Sequence, residues 1–253
     1  MTTVVKKSNY NKHIKPIASL FKVTGWLFVL MFLPQFILVF VFSIFLGIQQ
    51  GEDLSTEVVG AWFSSVSTQL SISLVTPLIL VPLLVKATNL TGWNNRLAFW
   101  AVYPITRKDI KKWISIGLIY CFFSLMLVEL LNLPTEQFMS DLKNASNSLP
   151  VLVLVLITIC LVIPVMEELI FRGWLYSKIA ESKLGHIGAL IITSIIFTAI
   201  HTQYDNAVTL ASIFTFGLLL GFVRYKTSNI SYTVAIHIIY NSMGMIALFS
   251  FEL

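Results

Sequence analysis

The sequence predicts an all-α protein: a polytopic transmembrane bundle of about seven helices with a polar site inside it. Three observations carry this. The 253 residues are 57% hydrophobic and only 11% charged, where a soluble domain carries roughly 25% charged residues. Mean hydropathy is +0.84. The apolar residues gather into runs close to the roughly twenty that a helix needs to cross the hydrocarbon, and none of the alternating segments of a closed β-barrel occurs. No linker, charge run or internal repeat divides the chain, so residues 1–253 read as a single transmembrane domain.

The first apolar run, about 24–48, follows Lys6, Lys7, Lys12 and Lys15. It is long enough to span, and no small-residue cleavage site follows it, which marks a retained signal anchor. Runs at about 65–85 and 113–133 supply the second and third helices. Between them, "NNRLAFWAVYPITRKDIKK" mixes Phe99, Trp100 and Tyr103 with a basic exit, the composition of a segment lying at headgroup level. The fourth run, 150–171, ends in "VMEELIFRGW". The fifth (187–204) and sixth (207–223) are separated only by polar residues around Gln203 to Asn206, which demands a tight connection, and the seventh covers 230–250. Cys121 and Cys160 sit inside apolar runs with no neighbour to pair with and read as reduced filler.

Topology follows from counting basic residues, because cytoplasmic loops collect them. With a cytoplasmic amino terminus and an external carboxyl terminus, sixteen of the seventeen Lys and Arg residues fall on the inner side, Arg172, Lys178, Lys183, Arg224 and Lys226 among them, and Lys143 alone falls outside. The outer loops carry Glu52, Asp53, Glu57, Glu136, Asp141 and Asp205 instead. The net charge of +5 thus reflects orientation in the bilayer and attraction to anionic lipid, not nucleic-acid binding.

Ionisable groups inside the membrane cost about 2.5–3.5 kcal/mol each on insertion scales, so each needs a partner or a task. In "MEELIFRGW", Glu168 and Arg172 are four apart and share a helix face, whereas Glu167 is rotated by about 100°. Arg172 then neutralises and orients Glu168, and Glu167 is left to face the bundle interior. In "IIFTAIH", Phe197 and His201 share a face of the fifth helix, and in "AIHIIYNSMG", His237 and Asn241 share one of the seventh. Three helices each presenting a polar face inward is what a site in the core of a bundle requires.

A carboxylate with two imidazoles is a set for moving protons. Glu167 can take a proton from water while an imidazole helps hold that water, and Asn241 and His237 can donate hydrogen bonds to a developing oxyanion. These are the parts needed to hydrolyse an amide. Glu167, His201 and His237 also match the ligand set of a catalytic divalent metal such as zinc, although no HExxH helix is present, and the spacing leaves metal-dependent and metal-free hydrolysis both open. A proton relay through Glu167, His201 and His237 in a transporter is a competing reading, but neither repeated halves nor interrupted helix pairs are visible. A non-catalytic scaffold that binds a partner protein is another.

The three motifs together resemble a known family. "EELIFRG", "FTAIH" and "HIIYN" are similar to the EExxxR, FxxxH and HxxxN motifs of the CAAX protease and bacteriocin-processing (Abi) family of intramembrane endopeptidases, over about residues 150–245. The resemblance implies that Glu167 and His201 activate the attacking water, that His237 and Asn241 stabilise the tetrahedral intermediate, and that Glu168, Arg172 and Phe197 support the site. It implies a peptide or small-protein substrate at the lipid bilayer. With no further domain or organelle signal read in the sequence, it points to a prokaryotic plasma membrane and to bacteriocin or peptide-pheromone processing or self-immunity. Substrate identity and oligomeric state are not encoded legibly.

Upright helices create one tension. They put Glu167 near the inner surface and His201 about 27 Å up the next helix, at 1.5 Å per residue. Continuation of the fourth helix through "GWLYSKIA", which has no proline, relieves it, as would a tilt or break lowering His201. The expected result is a water-filled cavity opening on the cytoplasmic side.

Overall fold

The computed structural model describes residues 16–51 and 55–250. The lysines at positions 6, 7, 12 and 15 and the acids at 52 and 53 lie outside them. Among the described residues the chain is helical throughout, and it is an integral membrane protein. The helices are α1 (Pro16–Gln50), α2 (Thr56–Ser64), α3 (Val66–Val75), α4 (Pro77–Thr88), α5 (Trp93–Trp100), α6 (Arg107–Leu130), α7 (Gln137–Ala145), α8 (Leu149–Ala180), α9 (Gly185–Ala199), α10 (Ala207–Thr227) and α11 (Ile230–Ser250). Large apolar side chains such as Phe36 and Phe122 are exposed, as a surface facing hydrocarbon requires, because lipid tails solvate them as well as the interior does.

Among the described residues five helices are long and apolar enough to cross a membrane, or six if the bent pair α2–α3 is one span, which does not confirm the expected seven. The second run breaks because Ser65 is an extended cap whose hydroxyl accepts the Thr68 N–H, bending α2 against α3 by 68°. Pro77 then starts α4 with no N–H to continue α3. The fifth run yields only α9, whose 15 residues reach about 22 Å, less than the hydrocarbon thickness. Asn206 caps α10 by accepting the Val208 N–H at 2.8 Å, so α10 starts close behind and the connection is the tight one expected.

The core lies around the second half of α8, where Phe171, Trp174 and Leu175 pack with Leu30, Leu80, Leu84, Trp100 and Phe197. Trp100 corrects the interfacial reading of its segment. It is 3% exposed and donates its indole N–H to Thr88 Oγ1 at 2.8 Å, while Tyr103 stays exposed. An indole anchors a headgroup layer or fills a core equally well once its N–H has a partner.

The α9–α10 pair is set by small residues one turn apart. A methyl at Gly217 would lie 3.2 Å from Ser194 Cβ and 3.3 Å from Ser194 Cα, and one at Gly221 would lie 3.1 Å from Leu190 Cγ. Glycines four apart let helix backbones approach closely where no hydrophobic effect drives them together. Gly217→Ala is therefore expected to lower stability by about 1–3 kcal/mol, the usual cost of overpacking, read as a lower Tm in detergent.

Candidate active site

The 32 residues of α8 form one continuous helix, so the helix bearing Glu167 does run past Arg172 and Lys178. Counting back from Ala180, Glu167 is about 20 Å along α8. Counting forward from Gly185, His201 is about 24 Å along α9 and its end. The two helices share the turn between them, so the two side chains reach comparable depth and the tension is resolved.

Two wide turns interrupt α8, a π-turn over Thr158–Val162 and another over Leu169–Leu175. Each frees a carbonyl. At the first, the Ile163 N–H reaches back five residues to the Thr158 carbonyl, and the next residue, Pro164, has no N–H to offer Ile159. The Ile159 carbonyl instead accepts from Asn241 Nδ2 at 2.9 Å. At the second, the Tyr176 N–H reaches back to Phe171, and the Arg172 carbonyl accepts from Arg224 Nε at 3.1 Å. Buried carbonyls need partners; here α11 and α10 supply them, which docks both helices against α8 on either side of Glu167.

Between these turns, the adjacent acids separate as their spacing predicts. Glu168 and Arg172 are both fully buried, and Arg172 Nη1 donates to Glu168 Oε1 at 2.9 Å. Arg172 Nη2 donates to the Gly217 carbonyl at 3.1 Å, and the guanidinium lies over the Phe197 ring, 4.4 Å from its centroid. Phe197, 1% exposed, also meets Phe171 edge to face at 5.4 Å and His237 at 5.9 Å. His237 stands between the two acids, with Nδ1 3.1 Å from Glu168 Oε1 and Nε2 3.6 Å from Glu167 Oε2. The Glu167 side chain is 19% exposed.

His201 is not on a helix face, as its spacing suggested, but one residue beyond the cap of α9. Its Nδ1 lies 2.6 Å from the Phe197 carbonyl. A carbonyl can only accept, so Nδ1 carries the proton in this bond and the other ring nitrogen, Nε2, is left as the acceptor in the neutral ring. Non-helical backbone at this depth is tolerated where it lines a cavity.

Glu167, His201, His237 and Asn241 line one cavity of about 460 Å³. Its remaining walls include the carboxyl-terminal halves of α6 and α11, the first residues of α10, and Leu133 to Met139. This is the end of the bundle opposite the basic residues at 107–112, 178–183 and 224–226, so the cavity lies away from the face expected to be cytoplasmic. Hydropathy cannot show this: the side on which a polar pocket lies depends on where the helices splay. Arg172, counted among the inner basic residues, is instead a fully buried side chain within α8.

Among the described residues, no three His, Cys, Asp or Glu side chains converge to hold a metal ion, and both ring nitrogens of His237 face carboxylates. The residues present do not fit a three-ligand metal centre.

Sequence reasoning missed Arg224, read as a loop cation, and two cavity residues, Glu136 and Tyr204. Burial first, then the Glu136 and Glu167 carboxylates, push the Tyr204 phenol up to about 12, so it stays a hydrogen-bond donor. The motif spacing carried no signal for any of the three.

Residues 149–243 match the family model described as "Type II CAAX prenyl endopeptidase Rce1-like". A protein of Escherichia coli described as an uncharacterized 24.3 kDa protein is 35% identical over 123 residues, 48% of this chain and 56% of that protein. The match thus spans little more than half the length of that relative. No solved structure matches the chain.

Proposed function

We propose that this chain, which over residues 149–243 matches the model of the Type II CAAX prenyl endopeptidase Rce1-like family, hydrolyses a peptide bond in a membrane-associated or leader-bearing peptide, in a prokaryotic plasma membrane and in bacteriocin or pheromone maturation or self-immunity. The observation that carries it is the Glu167–His237 contact of 3.6 Å in a cavity that His201 and Asn241 also line. Glu167 and the free Nε2 of His201 take hydrogen bonds from a water and turn its lone pair on the scissile carbonyl carbon. The C–O bond forms as Glu167 takes the water proton. His237 Nε2–H and the second N–H of the Asn241 amide, whose first is spent on Ile159, face the oxyanion. Collapse breaks the C–N bond, and Glu167 hands its proton to the leaving amine.

The test is cleavage of a co-expressed candidate peptide. Glu167→Gln and His201→Ala are each expected to abolish it while the protein still inserts in the membrane. A partner-dependent phenotype that survives both changes would overturn the hydrolytic reading in favour of a scaffold. Because the residues do not form a three-ligand metal centre, cleavage is expected to persist after incubation with a chelator. Loss on chelation with recovery on zinc addition would show the opposite.

A further inference from the structure

The cavity holds a carboxylate that hydrolysis does not use. Glu136, in the connection between α6 and α7, lines it beside Phe138, Met139 and Tyr204. It stands at the cap of α7, yet its side chain makes no capping hydrogen bond. Oε2 accepts the Asp205 N–H at 3.3 Å, tying the α6–α7 connection to the α9–α10 connection. Oε1 is buried with no hydrogen-bond partner among the described residues. A buried carboxylate oxygen is strongly driven to find a donor.

The surroundings say which donor. The rings of Phe138 and Tyr204 meet edge to face at 6.1 Å. The Tyr204 hydroxyl has the Met139 thioether at 3.9 Å, a weak acceptor that leaves the ring in place without competing for Glu136. Among the described residues lining the cavity none is Lys or Arg, two are acids, and most of the rest are apolar. A carboxylate beside two aromatic rings attracts an organic cation twice over, through charge-assisted hydrogen bonding and through the ring quadrupoles. The same wall repels an acidic side chain, which would meet Glu136 and Glu167 together.

We propose that Glu136 is a specificity residue that accepts a Lys or Arg side chain of the bound peptide, so that the substrates are apolar segments carrying a basic residue. This rests on the endopeptidase reading of the same cavity. Its test reads binding, so that it can fail separately. The Glu167→Gln protein, in which Glu136 is the one acid left among the described residues lining the cavity, is placed in nanodiscs of zwitterionic phosphatidylcholine, whose surface does not itself attract cations. Two acetylated and amidated leucine-rich peptides, differing only in a central Arg or Glu, are titrated against it.

The Arg peptide is expected to bind at least about tenfold more tightly, a difference of about 1.4 kcal/mol. Adding Glu136→Gln, which keeps an oxygen for the Asp205 N–H, should bring the two peptides within about threefold of each other, and Glu136→Lys should reverse the order. The proposal is overturned by no preference for the Arg peptide, whether both bind or neither does, or by a preference that survives Glu136→Lys in a protein with unchanged Tm. A wild-type protein that prefers the Arg peptide but cleaves no peptide would sink the endopeptidase reading and leave the cation subsite standing.

Discussion

Glu167→Gln is expected to lower kcat by about 10²–10⁴, the usual worth of a positioned general base, while Tm stays at the wild-type value. The two halves of this result have separate causes. Glutamine matches glutamate in shape but cannot take a proton from water, so the chemical step loses its acceptor. The side chain, meanwhile, lines the cavity, and among the described residues its one close polar contact is the 3.6 Å approach to His237, so no tightly buried bond is lost on substitution. His201→Ala should lose comparable activity with a small loss of stability, since the imidazole also satisfies the Phe197 carbonyl at the end of α9. Steady-state kinetics on any cleaved peptide, with thermal unfolding of the same preparations, measures both. A fall in Tm that accounts for the fall in activity would remove Glu167 from the chemistry.

Much of this arrangement is legible in the sequence because helical spacing is a geometric constraint that lipid enforces. Backbone groups inside a membrane must be satisfied within the helix, so residues four apart, such as Glu168 and Arg172, do meet, and Glu167 does turn away from them. What is not legible is where the helix departs from regularity. The first π-turn of α8 can be rationalised from Pro164 once the fold is known, yet the partner that makes it affordable, Asn241, comes from a distant part of the chain. Arg224 reads as one more positive-inside residue because its bond to the Arg172 carbonyl exists only when α10 packs on α8. The end of α9 before His201 is hidden for a similar reason: Ile200 to Tyr204 holds no Pro or Gly to stop a helix, and the helix ends where its freed backbone lines the cavity. Periodicity reports one helix at a time, whereas these three features are properties of pairs.

One residue along from Glu167, the same substitution should have the opposite signature. Glu168→Gln is expected to destabilise the protein by about 3–5 kcal/mol, the cost of stranding one member of a buried ion pair. Arg172 would keep its bond to the Gly217 carbonyl, but a full positive charge at 0% exposure would face a neutral amide, and the acceptor 3.1 Å from His237 Nδ1 would lose its charge. Arg172→Met should cost a similar amount by leaving the buried Glu168 carboxylate without the guanidinium 2.9 Å away. The double variant Glu168→Leu, Arg172→Met removes both charges at once, and buried pairs replaced by apolar groups of similar volume are often close to neutral. It is therefore expected to recover much of the lost Tm without recovering activity, because His237 would still lack the carboxylate that orients its ring. Thermal unfolding of the two single variants and the double in one detergent gives the coupling between the two sites. A double variant no more stable than the sum of the singles allows would show that the pair does not act as a unit, and a Glu168→Gln protein that melts with the wild type would mean that the buried charge of Arg172 is neutralised elsewhere.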